Sequence, residues 1–165
     1  MMVLSRVLLV NIATFTTVCQ QVSAKLGGDI WNPFFDLWLD KFESISNPIE
    51  GKVIVLALAH TLSQPNLQSY VEPRFPLIIN VIVSGMHQYH MQAGELFPVD
   101  LMVQFQSAEE MHESEFSTES EPARRRKLSA QDAVSIVNTR EFVEKQLRAL
   151  EAGKGAEGFA RMMAT

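Results

Sequence analysis

The sequence predicts an all-α protein, built as an α-solenoid in which antiparallel helix pairs stack side by side. Three observations indicate this fold. Apolar residues recur at helical spacing through residues 1–91, two consecutive helices open with the same Asn-Pro pair, and no strand–turn–strand pattern lies between them. Because the connections are short, neighbouring helices are expected to run antiparallel, and each pair needs a stacked neighbour to bury its apolar face.

The first segment, residues 4–22, has one apolar face on a helical wheel. That face consists of Leu4, Leu8, Ile12, Phe15, Cys19 and Val22, with Val7 and Val18 at its edge. Ser5 and Arg6 fall on the opposite, polar face. The pattern predicts one amphipathic helix that buries the thiol of Cys19, which is the single cysteine of the chain.

A second interpretation of the same segment stays open at this point. Arg6 supplies a positive charge, residues 7–19 form a short apolar run, and Val22-Ser23-Ala24 ends in the small residues that a signal peptidase accepts. In this interpretation the chain is a secreted or organellar all-α binding protein whose N-terminal signal peptide is cleaved. The run is too short and too interrupted by polar residues for a membrane-spanning helix.

Aromatic residues dominate the second predicted helix. Its apolar face consists of Trp31, Phe35, Trp38 and Phe42, broadened by Phe34, Leu37 and Leu39. Asn32 is the predicted N-cap, and Pro33 follows in the first turn, where proline is tolerated. The stripe predicts helix-on-helix packing rather than a ligand pocket.

Asn47-Pro48 repeats the same start signal before a nearly continuous apolar run, Val53 to Leu62. A buried strand is the competing interpretation, but the cap and the length favour a helix that is covered on most sides. A short helix fits around Leu67 to Val71 in the proline-rich connection that follows.

Pro76 opens a further apolar helix in which strand is again the alternative. Helix is favoured because Asn80 and Ser84 lie one turn apart on the same side. Near the end, Asn138 starts a last helix that Gly153 and Gly155 stop, and the tail adds one short turn. The sequence therefore divides into helical repeats over 1–91, a flexible acidic and basic loop over 92–137, and a C-terminal helix over 138–165 that packs back on the repeats.

The loop is predicted from its charge pattern. An acidic, glutamate-rich run that contains no lysine or arginine is followed directly by the basic run of residues 123–127, and such stretches bury too little apolar surface to pack. The acidic run is the candidate contact site for protein partners, which are expected to be basic. Its glutamates are Glu109, Glu110, Glu113, Glu115, Glu119 and Glu121.

Composition excludes several classes of function. The formal net charge of −5 argues against nucleic-acid binding, and no later stretch is apolar enough for membrane insertion. No phosphate loop, nucleophile elbow or metal-spaced Cys and His set is present. His87 and His90 lie one helical turn apart but have no third ligand nearby, so they are interpreted as exposed polar residues. We therefore expect no enzymatic activity, no cofactor and no metal.

Taken in order, the segments resemble the C-terminal end of the karyopherin-β (importin-β superfamily) nuclear transport receptors, and within them the importin-11 branch. Each motif is weak alone, and their order along nearly the whole chain carries the resemblance. The matching elements are a tryptophan-bearing helix at Trp38 to Asp40, a turn at Ser44 to Pro48, the apolar helix Val53 to Leu62, a late helix at Glu141 to Leu147, and Gly158-Phe159.

The resemblance implies a fold and a function. Members of that family are α-solenoids of HEAT repeats, of the ARM type, that carry cargo proteins between cytoplasm and nucleus. The stretch that matches residues 2–10 is an internal repeat helix in the family, which favours a packed helix over a leader. The family's N-terminal repeats, which bind the GTPase Ran, are missing here, so Ran-dependent import is in doubt and cargo contact is the function that the resemblance implies.

Overall fold

A computed structural model describes residues 2–45, 47–93 and 132–164 of the chain. These residues form helices and connecting turns and contain no strand, which confirms the all-α fold class. The helices are α1 Met2–Val10, α2 Ile12–Leu26, α3 Trp31–Phe42, α4 Pro48–Leu62, α5 Gln68–Val71, α6 Phe75–Ala93, α7 Ala133–Ile136 and α8 Thr139–Met163. Single 3₁₀ turns, Pro65–Leu67 and Glu72–Arg74, flank α5.

Helix α4 is the centre of the core. Every residue from Val53 to Ala59 is at most 2% exposed, because α1, α6 and α8 all pack against this helix. A helix that is apolar on all sides requires such enclosure, and the helical interpretation of the run is therefore confirmed. Asn47 caps α4 as predicted, since its side-chain oxygen accepts hydrogen bonds from the backbone N–H groups of Ile49 and Glu50.

The prediction of one continuous helix over residues 4–22 was wrong. The chain forms two helices that meet at Asn11, whose φ of −153° and ψ of 85° are not helical and whose side-chain oxygen accepts a hydrogen bond from the backbone N–H of Thr14, at 3.0 Å. Asparagine is a strong N-cap, because its side chain competes with the continuing backbone hydrogen bonds. The break gives the segment two helices in place of one, and its buried residues do not follow the single predicted stripe.

The buried stripe on α1 and α2 is accordingly narrower than predicted. Leu8, Phe15 and Cys19 are 0–5% exposed, as expected, and burial raises the pKa of the Cys19 thiol. The predicted stripe also includes residues that the structure leaves exposed, namely Leu4, Val7 and Val18 at 43%, 40% and 50%. Ser5, assigned to the polar face, is fully buried.

The aromatic stripe of α3 is confirmed as a packing surface. Trp31, Phe35, Trp38 and Phe42 are all buried, whereas Leu37 is 48% exposed and does not belong to the face. Ring contacts continue from α3 onto α2 and α5 through Phe15–Trp31, Phe15–Phe34 and Trp31–Tyr70, with centroid separations of 5.8, 5.6 and 5.7 Å. These rings join α2 to α3 and α3 to α5.

The start of α3 differs from the prediction. Asn32 lies inside the first turn, and the capping oxygen belongs to Asp29, which accepts a hydrogen bond from the Trp31 backbone N–H at 3.0 Å. The Asn32 side chain donates to the other oxygen of the same carboxylate at 2.7 Å. A carboxylate at this position also complements the positive end of the helix dipole. The predicted cap, Asn32, therefore lies three residues after the residue that caps the helix.

Helix α6 begins at Phe75, one residue before the predicted Pro76, and Asn80 and Ser84, which were predicted to share one side of the helix, are both exposed. Its inner face approaches α3 and α4 closely at Gly85. A Cβ atom at this glycine would lie 2.5 Å from Cγ2 of Val55 and 3.1 Å from Cζ of Phe42. The absence of a side chain is therefore what lets three helices meet here.

Helix α8 packs on α4 and α6. It does not stop at Gly153, but Gly155 breaks it with a left-handed φ of 72° and ψ of 162°, a conformation that glycine adopts at low cost. The residues after the break return to the core, where Phe159 contacts Phe75 edge-on at 6.3 Å. Because most of residues 92–137 lie outside the described part of the chain, the predicted division into three segments stays a prediction.

Candidate interaction surfaces

The exposed surface of α1 and α2 is poor in charge, with Lys25 in the last turn of α2 as its one fully exposed charged residue. Between Val3 and Ala24 every exposed residue is aliphatic, Thr, Asn or Gln, and Arg6, the one ionisable basic or acidic residue of this stretch, is half-buried. Val3 and Val10 are 71% and 85% exposed. We call the exposed surface of residues 3–24 the uncharged flank. Depletion of charge together with exposed aliphatic side chains is typical of an interface core.

Helix α8 presents the opposite kind of surface. Its outward side is rich in both signs of charge, and ion pairs such as Arg140–Glu144 lie along it. The exposed charged residues are Arg140, Glu141, Lys145, Arg148, Glu151, Glu157 and Arg161. A mixed, charged face of this kind is suited to water, so the two surfaces differ in what they can contact.

A charged junction joins α1, α4 and the residues before α8. Arg6 donates hydrogen bonds to both carboxylate oxygens of Asp132, and Lys52, only 6% exposed, donates to the Val137 carbonyl at 2.6 Å. Asp132 also caps α7 by accepting from the Val134 backbone N–H at 3.1 Å. The junction fixes the chain where it enters the C-terminal helices.

The electrostatics of this junction follow from burial and pairing. Burial lowers the pKa of the Lys52 amine to about 8, against the opposing attraction of Asp132. The hydrogen bond from Arg6 holds the pKa of the Asp132 carboxyl below its ordinary value, and Lys52 adds to that effect. The pKa values of Lys52 and Asp132 therefore both depend on the neighbouring charges of the junction.

Polar groups also lie between α4 and α8. The Ser63 hydroxyl donates to the side-chain oxygen of Gln146, which is 8% exposed, and the imidazole of His60 lies 6.3 Å from the ring of Phe142. Burial lowers the pKa of His60, and its Nδ1 atom has no hydrogen-bond partner within the part of the chain that the structure describes. His60 is half-buried and so lies at the edge of the core.

A groove of about 510 Å³, lined by both polar and apolar groups, lies between α2 and the turn before α5. Trp31 and Tyr70 stack at its inner side, and the Tyr70 hydroxyl donates to Asp29 Oδ1 at 3.3 Å. Across the opening, Asn66 donates to Thr16 Oγ1 at 3.5 Å. Most of the polar groups that line the groove thus already pair with one another.

The six glutamates predicted to contact partners, Glu109 to Glu121, lie outside the described residues, as does the basic run 123–127. His87 is exposed. Among the described residues, no cluster of three or more His, Cys, Asp or Glu side chains could hold a metal ion. In the same residues, no helix has both the length and the apolarity needed to cross a bilayer.

Sequence reasoning missed the charged junction. The signals were a single lysine at the start of the apolar run of α4, and an aspartate, Asp132, just before the apolar residues Ala133–Ile136. Such an aspartate is a typical N-cap. Neither signal shows that Asp132 meets Arg6 or that Lys52 meets the Val137 carbonyl, because these contacts join residues 126 and 85 positions apart.

Comparison with known proteins agrees with this architecture. A family model described as importin-11-like, TPR repeats, matches residues 1–165. Importin-11 of Homo sapiens is 27% identical over 169 residues, covering 99% of this chain and 17% of that protein. Importin-11 of Mus musculus is 26% identical over 168 residues, with the same coverage. No solved structure matches the chain.

The chain therefore spans about 17% of the length of the curated relatives it matches. The family description names TPR repeats where the sequence analysis predicted HEAT-like ones, and both repeat types are stacks of antiparallel helix pairs. The resemblance to the importin-11 branch, and with it the solenoid type of fold, is confirmed. The match over the whole sequence shows that this chain belongs to the importin-11-like family.

Proposed function

We propose that this chain forms the C-terminal repeat portion of an importin-like nuclear transport receptor and contributes to the binding of cargo proteins in nucleocytoplasmic transport. The observation that carries the proposal is the match of residues 1–165 to the importin-11-like family. The corresponding location is the cytoplasm and the nucleus, with passage through the nuclear pore. No cofactor enters this function, and no catalysis is assigned to it.

The described surfaces support a binding role. Polar groups at the junction and between α4 and α8 serve packing, since Arg6, Lys52 and Gln146 all have partners within the fold. What the molecule offers to other proteins is an uncharged flank and a charged outer face of α8. Broad surfaces of this kind are how repeat proteins contact partners.

The family resemblance implies that Ran is bound by N-terminal repeats. This chain matches 17% of the length of importin-11. We therefore propose that this region contacts cargo and that Ran is bound by other repeats of a complete receptor. A pull-down of the chain with GTP-loaded Ran is expected to show no binding, and a stable complex would contradict the division of roles.

We further propose that the six glutamates from Glu109 to Glu121 attract basic cargo by long-range charge. The test replaces Glu109, Glu110 and Glu113 with Gln and measures affinity for a core histone dimer, as a basic probe, across a salt series. Opposite charges at a surface are screened within about 10 Å at 0.1 M salt. The triple variant is expected to lose affinity at low salt and to show a weaker salt dependence.

The matched control replaces Glu141, Glu151 and Glu157 on α8 with Gln. These positions are exposed, and the change of net charge is the same as in the first triple variant. This control is expected to bind the histone probe nearly as well as the unmodified chain. Equal affinity of all three proteins at every salt concentration would remove the glutamates as a cargo contact, and equal loss in both variants would show that net charge alone is responsible.

The alternative interpretation, a cleaved leader, conflicts with the packing of α1 and α2. Removal of residues 1–24 would take Leu8, Phe15 and Cys19 out of the core, where they are at most 5% exposed. We propose that these helices remain attached. Mass spectrometry of the N-terminus, after expression in the source cells, is expected to find peptides that include Phe15, and a chain starting at Lys25 would instead support secretion.

A further inference from the structure

We propose that residues 156–163, at the end of α8, form a detachable arm that covers a docking site at the start of α6 for a helical segment of another protein. The expected partner segment carries an aromatic residue and, three positions later, an unbranched apolar residue, as the arm itself does at Phe159 and Met162. The site goes beyond the proposed function, because it involves none of the glutamates that are assigned to cargo contact.

Gly155 gives the arm a hinge. Its φ of 72° and ψ of 162° lie in a region that is essentially restricted to glycine, and α8 is kinked at this residue, so the arm does not continue the axis of the preceding helix. Just before the kink, Lys154 forms an ion pair with Glu72. This pair fixes α8 as far as residue 154, and the residues that follow can move without displacing the rest of the helix.

Few side chains hold the arm against the core. Before the kink, α8 buries Val143, Gln146 and Leu150, which are 5%, 8% and 3% exposed. After the kink no residue of the arm is buried, and the contact with the core is made by the half-buried Phe159 and Met162. Segments with so little buried surface open at a lower free energy than the core does, so the arm can leave while the other helices stay folded.

The arm covers an aromatic ring. Phe75, the first residue of α6, is 1% exposed, and the ring of Phe159 lies edge-on to it, with 6.3 Å between the centroids and an interplanar angle of 73°. When the arm leaves, Phe75 loses this cover and offers apolar surface to another side chain. Phe159 and Met162 are spaced i, i+3, which places both on one helix face. The site therefore fits the apolar face of an amphipathic helix.

The experiment uses the full chain and, as probe, a synthetic peptide of residues 155–165, with binding followed by NMR chemical shifts of the isotope-labelled chain. A tethered segment acts at an effective concentration on the order of 1 mM, so the arm of the unmodified chain is expected to compete with the peptide. Phe159→Ala weakens the arm within the chain and is expected to bind the peptide at least tenfold more tightly than the unmodified chain does.

Gly155→Ala is a second release variant that leaves Phe159 unchanged. Alanine disfavours the backbone conformation of the hinge and favours a continuous helix, which carries Phe159 away from Phe75. This variant is expected to bind the peptide as Phe159→Ala does. The matched control is Met163→Ala, which truncates an arm side chain that is 59% exposed, and it should bind the peptide as weakly as the unmodified chain. The NMR spectra also show whether each variant is folded.

The proposal is overturned if either folded release variant binds the peptide no better than the unmodified chain, or if a peptide with Ala in place of Phe159 binds equally well. A dimer found by light scattering that Phe159→Ala dissolves would overturn it in favour of exchange of the arm between two copies of the chain. The outcome is separable from that of the proposed function. The histone test depends on Glu109, Glu110 and Glu113, which the peptide assay leaves unchanged.

Discussion

The Arg6 guanidinium holds the Asp132 carboxylate by two hydrogen bonds, with Nη1–Oδ1 and Nη2–Oδ2 distances of 3.0 and 2.5 Å. The two residues are 126 positions apart, so the pair connects the first helix to the C-terminal ones. Parallel guanidinium–carboxylate bonds are among the stronger polar contacts in proteins. Three further contacts of the core allow equally specific tests.

Asp132→Asn is expected to lower the free energy of unfolding by about 1 kcal/mol, because the pair is partly exposed and screened. The control Asp40→Asn removes a contact of 3.8 Å between exposed groups and should change stability little. Urea unfolding measures both. Because the folded-state pKa of Asp132 is depressed, its contribution is present above about pH 4 and is lost as the pH falls through the folded pKa. If the difference in the free energy of unfolding between Asp132→Asn and the unmodified protein did not change with pH, the pairing would be refuted.

Because burial lowers the pKa of Lys52, we expect the free energy of unfolding to rise at alkaline pH. Its folded-state pKa is about 8, below the ordinary value of 10.5, so between these values the unfolded chain binds more protons and stability increases with pH. Urea unfolding at pH 7.5 and 9.5 is expected to show a gain on the order of 1 kcal/mol that is absent from Lys52→Met. The same gain in the variant would assign it to other groups.

Gly85→Ala is expected to destabilise the protein by about 1–2 kcal/mol, because the added Cβ overlaps Val55 and forces α4 and α6 apart. Gly153→Ala is the matched control on a helix, where a Cβ meets nothing within 4 Å. That substitution should stabilise α8 by roughly 0.5–1 kcal/mol. Thermal unfolding of the two variants decides the point, and shifts of the same sign would contradict the close approach.

Leu8→Ala and Val7→Ala compare adjacent residues of α1. Leu8 is fully buried and Val7 is 40% exposed, so we expect losses of about 2–4 kcal/mol for Leu8 and of about 0.5 kcal/mol for Val7. Denaturant unfolding followed by tryptophan fluorescence measures both, since Trp31 and Trp38 lie in the core. Equal losses would mean that α1 does not pack as described.

The sequence was informative where local patterns decide structure. The aromatic row from Trp31 to Phe42, the cap at Asn47 and the enclosure of Val53 to Ala59 all follow from spacing and propensity, and all are observed. The errors occurred where two local signals compete. Asn11 interrupts an apolar stripe with a cap, and Asp29 caps α3 ahead of the equally suitable Asn32.

Contacts between distant segments could not be predicted from the sequence. Nothing local shows that Lys52 reaches the Val137 carbonyl or that Gln146 pairs with Ser63, because these contacts require the path of the whole chain. The uncharged flank was in part visible as an apolar stripe, but the wheel assigned Leu4, Val7 and Val18 to the core. Which side of an apolar helix is exposed to solvent depends on how many other helices pack against it. The sequence of one helix does not determine that number.

The junction at Asp132 has a consequence for how sequences of this kind can vary in evolution. Arg6 and Lys52 hold the chain at Asp132 and Val137, so the register of α8 on α4 is set by contacts at its own start. Insertions or deletions between residues 94 and 131 would then leave that register unchanged, since lengthening a connection costs little free energy. We therefore expect related chains to tolerate differences of length in that range while retaining the same helical core.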